Sequence, residues 1–200
     1  MQIKISLGNK KMGAVQSVSL PAILTCRADC DCKEICYALK ITKLRKQVRN
    51  AYMSNYELLK SNPEEYWREL NAAVALNRYF RFHVSGDIPD FEYLENMIDV
   101  AKRNKHCEIL CFTKKYSIVN RWISEHGEIP RNLHIIFSGW RNLKMENPYK
   151  LPEAHVRFKD GYCEASENAQ ECGGNCSECS IIGSGCWNLK CGEQVIFNQH

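Results

Sequence analysis

No stretch of this chain stays apolar for the roughly 20 residues that a membrane-spanning helix needs. The opening Met-Gln-Ile-Lys-Ile-Ser lacks the basic and apolar regions of a secretory signal, so a cytoplasmic protein with no membrane association is expected. A strong charge of one sign is also missing. The formal net charge is +4, too mild to argue for nucleic acid by itself, although Lys40, Lys43, Arg45, Lys46 and Arg49 crowd one stretch. Disorder is excluded by composition, with 44% hydrophobic and 25% charged residues.

What the chain has in excess is cysteine, with twelve in 200 residues. Disulfides do not persist in a reducing cytosol, and metal or cluster ligation is then the expected use. Cys107 and Cys111 stand in an apolar, strand-like run and read as buried thiols acting as small hydrophobes. The other ten fall in two short polar segments that also carry Gly or Asp, and these read as metal ligands.

Five strands are expected, at Val15 to Leu20, Tyr79 to Val84, Cys107 to Phe112, Leu133 to Phe137 and Ala154 to Phe158. Helical patterns separate them. A basic helix is expected from about Leu39 to Leu59. Asn62, Pro63 and Glu65 announce the next with a capping box, Asp90 caps a third, and a shorter one ends at Gly127 and Pro130. Alternation of this kind predicts an α/β fold, either a partial (βα) barrel or an open parallel sheet of roughly four to six strands. Residues 1–160 form the expected βα-repeat domain. Residues 161–200 form a cysteine-rich, irregular tail packed on it, too polar to bury a core and in need of metal to fold.

The first cysteine segment holds Cys26, Cys30, Cys32 and Cys36, between the first strand and the first helix. In a parallel α/β domain that is the strand C-terminal edge, where ligands bind. Four thiols there can wrap one centre, either tetrahedral zinc or a four-iron four-sulfur cluster. Paired Cys-x-x-Cys knuckles, the usual zinc signature, are absent from this segment, which favours iron–sulfur. The second segment holds Cys163, Cys172, Cys176, Cys179, Cys186 and Cys191 and reads as an auxiliary cluster or a zinc knuckle. Both segments could also contribute thiols to one shared site. Three strand ends carry polar turns that should gather on the same edge as the first segment: Ser85-Gly86-Asp87, Thr113-Lys114 and Ser138-Gly139-Trp140. A rim of glycines, hydroxyls, one acid and cations beside a metal centre describes a small-molecule pocket. His83 and His134, inside strands, read as core histidines rather than ligands.

The residues Cys36-Tyr37-Ala38, Asn50-Ala51, Asn55, the run Arg81-Phe82-His83-Val84-Ser85-Gly86-Asp87, Phe112-Thr113-Lys114 and Cys176-x-x-Cys179…Cys186-Trp187 resemble the phage "gene product eighty-eight" family. The resemblance runs from about Ser19 to Trp187, carries no settled activity, and implies a host-cell cytoplasmic location. The layout also resembles a truncated radical S-adenosylmethionine (SAM) enzyme. That resemblance implies an open iron of a four-iron cluster taking the amine and carboxylate of SAM, whose reductive cleavage yields a 5′-deoxyadenosyl radical. Ser85, Gly86 and Asp87 would hold the methionyl amine and Lys114 the carboxylate, with Ser138 or Trp140 on the ribose or adenine side. The spacing departs from C-x3-C-x2-C: after Cys26-x3-Cys30 come x1 and x3.

Three functions follow. The first is a radical-SAM-like iron–sulfur protein binding SAM or a related nucleotide, its open barrel closed by a large substrate or partner protein. The second is a non-enzymatic nucleic-acid binder stapled by zinc or a cluster, using the Lys40 to Arg49 cations and exposed Tyr52 and Tyr56. The third is a two-cluster electron carrier.

Overall fold

The computed structural model describes residues 2–199. Its sheet has eight strands in the order β1-β2-β3-β4-β5-β6-β8-β7. These are β1 (Ile5–Ser6), β2 (Gln16–Val18), β3 (Tyr79–Phe82), β4 (Glu108–Thr113), β5 (Leu133–Ser138), β6 (Glu153–Arg157), β7 (Gln170–Glu171) and β8 (Gln194–Asn198). Only β1 pairs antiparallel, with β2; every other pairing is parallel. From β2 to β6 each crossover adds its strand on the same side of the last, so the C-terminal ends of these strands share one edge. The expected strand number was therefore too low. All five expected strands exist. The three missed are two-residue β1 and β7, too short to show a period, and β8, which lies beyond the last cysteine.

The helices are α1 (Ala22–Thr25), α2 (Tyr37–Leu44), α3 (Lys46–Ser61), α4 (Pro63–Ala75), α5 (Phe91–Arg103), α6 (Tyr116–His126) and α7 (Cys176–Ile182). The single basic helix expected near residues 39–59 is two helices, because Arg45 takes an extended backbone (φ −121°, ψ 96°) between α2 and α3. Asn62 caps α4 by accepting the Glu65 amide at 3.2 Å. The reciprocal half of the expected capping box does not form. The Asn62 amide bonds the Leu58 carbonyl, and the Glu65 carboxylate turns to Arg68. Asp90 caps α5 by accepting the Tyr93 amide at 2.9 Å.

Side chains of successive strand residues point to opposite faces, and the sheet sorts its core accordingly. Phe80, Phe82, Ile109, Ile135 and Phe137 face Tyr66, Leu70, Val74, Leu94, Met97 and Val119 of the helices. Cys107 and Cys111 join this core as expected, and burial pushes the Cys107 thiol up to about 12. On the opposite face Leu110, Ile136, Ala154 and Val195 pack with Met12, Trp187 and Leu189. The tail lays Trp187 and Leu189 on the sheet and threads β8 in beside β6. Among the described residues no helix is long and apolar enough to cross a membrane.

Candidate metal centre at the sheet edge

The first cysteine segment leaves β2 through the single turn of α1 and passes through a 3-10 turn at Asp31–Ile35 before α2 begins. The strand-end turns gather around it. Ser85 is buried; its hydroxyl donates to the Leu20 carbonyl at 3.0 Å, and Leu20 returns its amide to the Ser85 carbonyl at 3.0 Å. Gly86 has φ +85°, and a Cβ there would stand 2.7 Å from both the Leu20 carbonyl oxygen and Thr25 Oγ1. Only glycine lets the β3 turn lie this close to the cysteine loop. The next amide, of Asp87, donates to Thr25 Oγ1 at 3.1 Å.

Asp87 is buried and its carboxylate is fully engaged by the protein. Oδ1 accepts from Thr113 Oγ1 at 2.6 Å and the Ile88 amide at 2.7 Å, and Oδ2 accepts the Lys114 amide at 2.9 Å. Burial pushes its pKa up, while these bonds and the Lys114 charge pull the other way. Ser85, Asp87 and Thr113 therefore tie the ends of β2, β3 and β4 together. Lys114 differs: its ammonium donates to Ser138 Oγ at 2.9 Å and lies 5.7 Å from the centre of the Trp140 ring. The expected rim at Ser85-Gly86-Asp87, Thr113-Lys114 and Ser138-Trp140 is brought together as a structure, with its handles at Lys114, Ser138 and Trp140, all half-buried.

The thiols answer to these charges. Burial pushes Cys26 up to about 12, helped by the Asp87 and Cys36 charges and opposed by Lys114 and Lys115. Cys30 falls to about 6 because Cys32 hydrogen-bonds its thiolate, with Lys114 and Arg27 adding to the fall against burial. Cys32 rises, first through that same bond and then through burial. The Cys30–Cys32 pair gives up its first proton easily and its second reluctantly. Among the described residues no three Cys, His, Asp or Glu side chains are gathered as one metal ion needs. The donor set nevertheless suits a thiolate-bound centre in its chemistry: three soft sulfurs within reach of one lysine's charge, with Cys36 beside Cys26. Loading such a centre would require the loop to draw its sulfurs inward.

Several contributors went unseen in the sequence. Arg27 donates to the Lys114 carbonyl at 3.2 Å and lies over the Tyr116 ring, and the Tyr116 hydroxyl donates to the Ser138 carbonyl at 2.5 Å. The Tyr37 hydroxyl donates to the Val84 carbonyl. Trp140 packs edge-on to Phe158, whose ring lies 3.8 Å from the Arg141 guanidinium carbon. Of these Tyr37, next to Cys36, and Arg141, next to the expected Trp140, had a positional hint. His83 is a core histidine, as expected: its Nε2 bonds the Tyr93 hydroxyl at 2.9 Å, and burial lowers its pKa to about 3, with Arg81 adding. His134 pairs with Glu108 at 2.7 Å. Tyr52 and Tyr56, expected to be exposed, are half-buried, Tyr56 packing against the core.

A family profile described as Gene product 88 matches residues 3–182. The chain belongs to the Gene product 88 family. No curated protein and no solved structure matches it. The matched span takes in the whole Cys26–Cys36 loop, every strand-end turn of the rim, and the tail as far as α7.

Proposed function

We propose that this Gene product 88 protein is an iron–sulfur protein whose Cys26, Cys30, Cys32 and Cys36 hold a four-iron cluster at the sheet edge, and whose rim binds SAM or a related nucleotide. The observation that carries this reading is Lys114. One ammonium acts on Cys26, Cys30 and Cys32 while it bonds Ser138 and lies over Trp140. A cation, a hydroxyl and an indole face beside a set of thiols supply the contacts for a carboxylate, a ribose and a base. Ser85, Gly86 and Asp87 act as positioning residues in this reading, because their polar groups are engaged by the Cys26–Cys36 loop and the β4 end. When bound and reduced, the cluster would supply the electron for cleavage of a sulfonium nucleotide.

Anaerobic purification tests the proposal. A brown protein with absorbance near ~400 nm, iron and acid-labile sulfide is expected. SAM should perturb the reduced cluster's paramagnetic spectrum, and the Lys114→Met variant should lose that response while keeping its iron. With dithionite, wild type should release 5′-deoxyadenosine from SAM. A colourless protein carrying stoichiometric zinc at this loop would refute the reading.

A second reading, nucleic-acid binding, is favoured by one observation. Lys40, Lys43, Arg45, Lys46 and Arg49 are all exposed along α2 and α3, and none forms an ion pair among the described residues. Such a face suits phosphate contacts whose affinity falls steeply with salt. A salt-dependent gel shift weakened by changing Lys43, Lys46 and Arg49 together to alanine would support it, and no shift at low salt would remove it.

A further inference from the structure

Arg81 is an arginine without an anion. It lies in the middle of β3, on the sheet face opposite the helices. Its Nε is shut away from solvent and has no acceptor. Its Nη1 meets two sulfurs, Met12 Sδ at 3.2 Å and Cys176 Sγ at 3.9 Å, and its guanidinium carbon lies 4.8 Å from the centre of the Phe112 ring. Among the described residues no carboxylate pairs with it. Arg81 is half-buried, so its guanidinium loses part of its hydration without a compensating charge, and neutral thiols provide none.

The surroundings show where that charge can come from. Cys176, Cys179 and Cys186 pack against the same sheet face as Arg81, under Tyr79, Val84 and Phe112. The Gly174 amide points at Cys172 Sγ at 3.4 Å, as amides do toward thiolate ligands. Cys179 Sγ sits in a glycine cradle: Cβ atoms at Gly173 and Gly185 would stand 3.7 and 3.2 Å from it. Burial pushes Cys186 up to about 12, with Cys172, Cys176 and Cys179 reinforcing the rise and Arg81 opposing it. Lys11 faces the same sulfurs: burial lowers its pKa, Arg81 adds to the fall, and the charges of Cys172 and Cys176 oppose it. The remaining two tail thiols stand apart, Cys163 beside Arg157 and Tyr162, and Cys191 in an exposed turn.

We propose that Cys172, Cys176, Cys179 and Cys186 draw their sulfurs together to bind a second thiolate metal centre against the sheet face, and that the half-buried Arg81 is its counter-charge. On loading, each thiol loses its proton to solvent. Four thiolates around a divalent ion or a cubane of charge +2 carry a net charge of −2, which Arg81 and Lys11 oppose. This centre is separate from the sheet-edge loop and does not depend on it.

The full-length Cys26→Ser/Cys32→Ser/Cys36→Ser variant isolates the tail. Offered zinc alone, or iron plus sulfide under argon, it should still bind one centre per chain; a colourless zinc adduct or a brown sulfide-containing one tells the two metals apart. In that background Cys163→Ser/Cys191→Ser should leave the metal in place, and Cys172→Ser/Cys179→Ser should remove it. Arg81→Gln should raise the rate of metal loss to a chelator tenfold or more, with Arg81→Lys within threefold of the parent. Three results would overturn the proposal: no metal in the parent variant while circular dichroism shows it folded, retention after Cys172→Ser/Cys179→Ser, or equal metal loss for Arg81→Gln and Arg81→Lys. Loss of metal from the sheet edge alone shows as the difference between wild type and the parent variant, so the two centres fail independently.

Discussion

The Gly86→Ala substitution tests the claim that the cysteine loop and the β3 turn are locked together. Two effects add. The backbone at Gly86 has φ +85°, where an L-residue is disfavoured by about 1–2 kcal/mol. The new methyl would also press on the Leu20 carbonyl oxygen and Thr25 Oγ1, each at 2.7 Å, and on the Leu20 carbonyl carbon at 3.0 Å. Two of these three are backbone atoms in the buried strand end, so they cannot swing aside, and overpacking of this kind costs about 1–3 kcal/mol. The expected total is about 2–5 kcal/mol. Gly127→Ala separates the terms, because Gly127 has φ +88° at the end of α6 with nothing within 4 Å of a Cβ. It should lose only the backbone part, about 1–2 kcal/mol. Urea unfolding of the metal-free proteins gives both values without ligand linkage. With an m-value of about 2 kcal/mol/M, Gly86→Ala should move the midpoint down by about 1–2.5 M, of which about 0.5–1.5 M lies beyond the Gly127→Ala shift. Equal midpoints for the two variants would refute the close approach at Leu20 and Thr25.

Three further outcomes are expected. His83 is held neutral, with its pKa lowered to about 3 from about 6.5 unfolded. The folded protein thus binds fewer protons between those values, and its stability is full above pH ~6.5 and falls by about 1.4 kcal/mol per unit on acidification toward pH 3. His83→Asn, which tolerates the positive φ of 54°, should flatten urea midpoints measured between pH 7 and 4; an unchanged slope contradicts this. Asp87→Asn puts an amide donor against the Lys114 amide or against Thr113 and Ile88, for a loss of about 1–3 kcal/mol, with reduced iron uptake at the loop; wild-type stability would show that the carboxylate is not the tie. Asn55 is fully buried, accepts the Lys4 amide at 2.7 Å and donates to the Lys4 and Ser19 carbonyls. Asn55→Ala should cost about 2–3 kcal/mol and speed amide exchange at Lys4, and unaltered exchange would show that β1 is held otherwise.

Strong local signals survived into the structure. Pro63 behind Asn62 and the apolar stripe behind Asp90 mark real helix starts, and the apolar runs at β4 and β5 are buried on both faces as their composition requires. The break at Arg45 was invisible because helical residues stand on both sides and nothing local demands an extended backbone. β8 was missed because the polar, cysteine-rich stretch before it masks five residues whose strand state comes from pairing with β6. The rim was legible in position but not in role. Parallel topology alone brings Asp87 and Lys114 to one edge, yet which of them faces outward depends on hydrogen bonds made by Thr113 and by Thr25 and Ile88, the last two of which carry no pattern of their own. Arg81 was passed over for the same reason: its alternating place in β3 reads as an ordinary solvent-facing position until the tail is seen lying over it.

That covering bears on whether the two cysteine segments form one site or two. Cys26 lies at the strand ends, beyond the last residue of β2, where the charges of Asp87, Cys36, Lys114 and Lys115 act on it. Cys176 lies against the sheet face, touching Arg81 within β3. Tyr37 stands between, its hydroxyl on the Val84 carbonyl and its phenol under the influence of Arg81 on one side and of Cys36 and Cys26 on the other. Val84 itself packs into the core beneath the tail. A single centre drawing on both segments would have to displace Tyr37 and Val84 and pull either the first loop down from the edge or α7 up from the face. The first move breaks the Asp87–Thr25 and Ser85–Leu20 ties; the second breaks the Trp187 indole's bond to the Cys176 carbonyl and the Tyr79 hydroxyl's bond to the Ser180 carbonyl. Two centres need neither move.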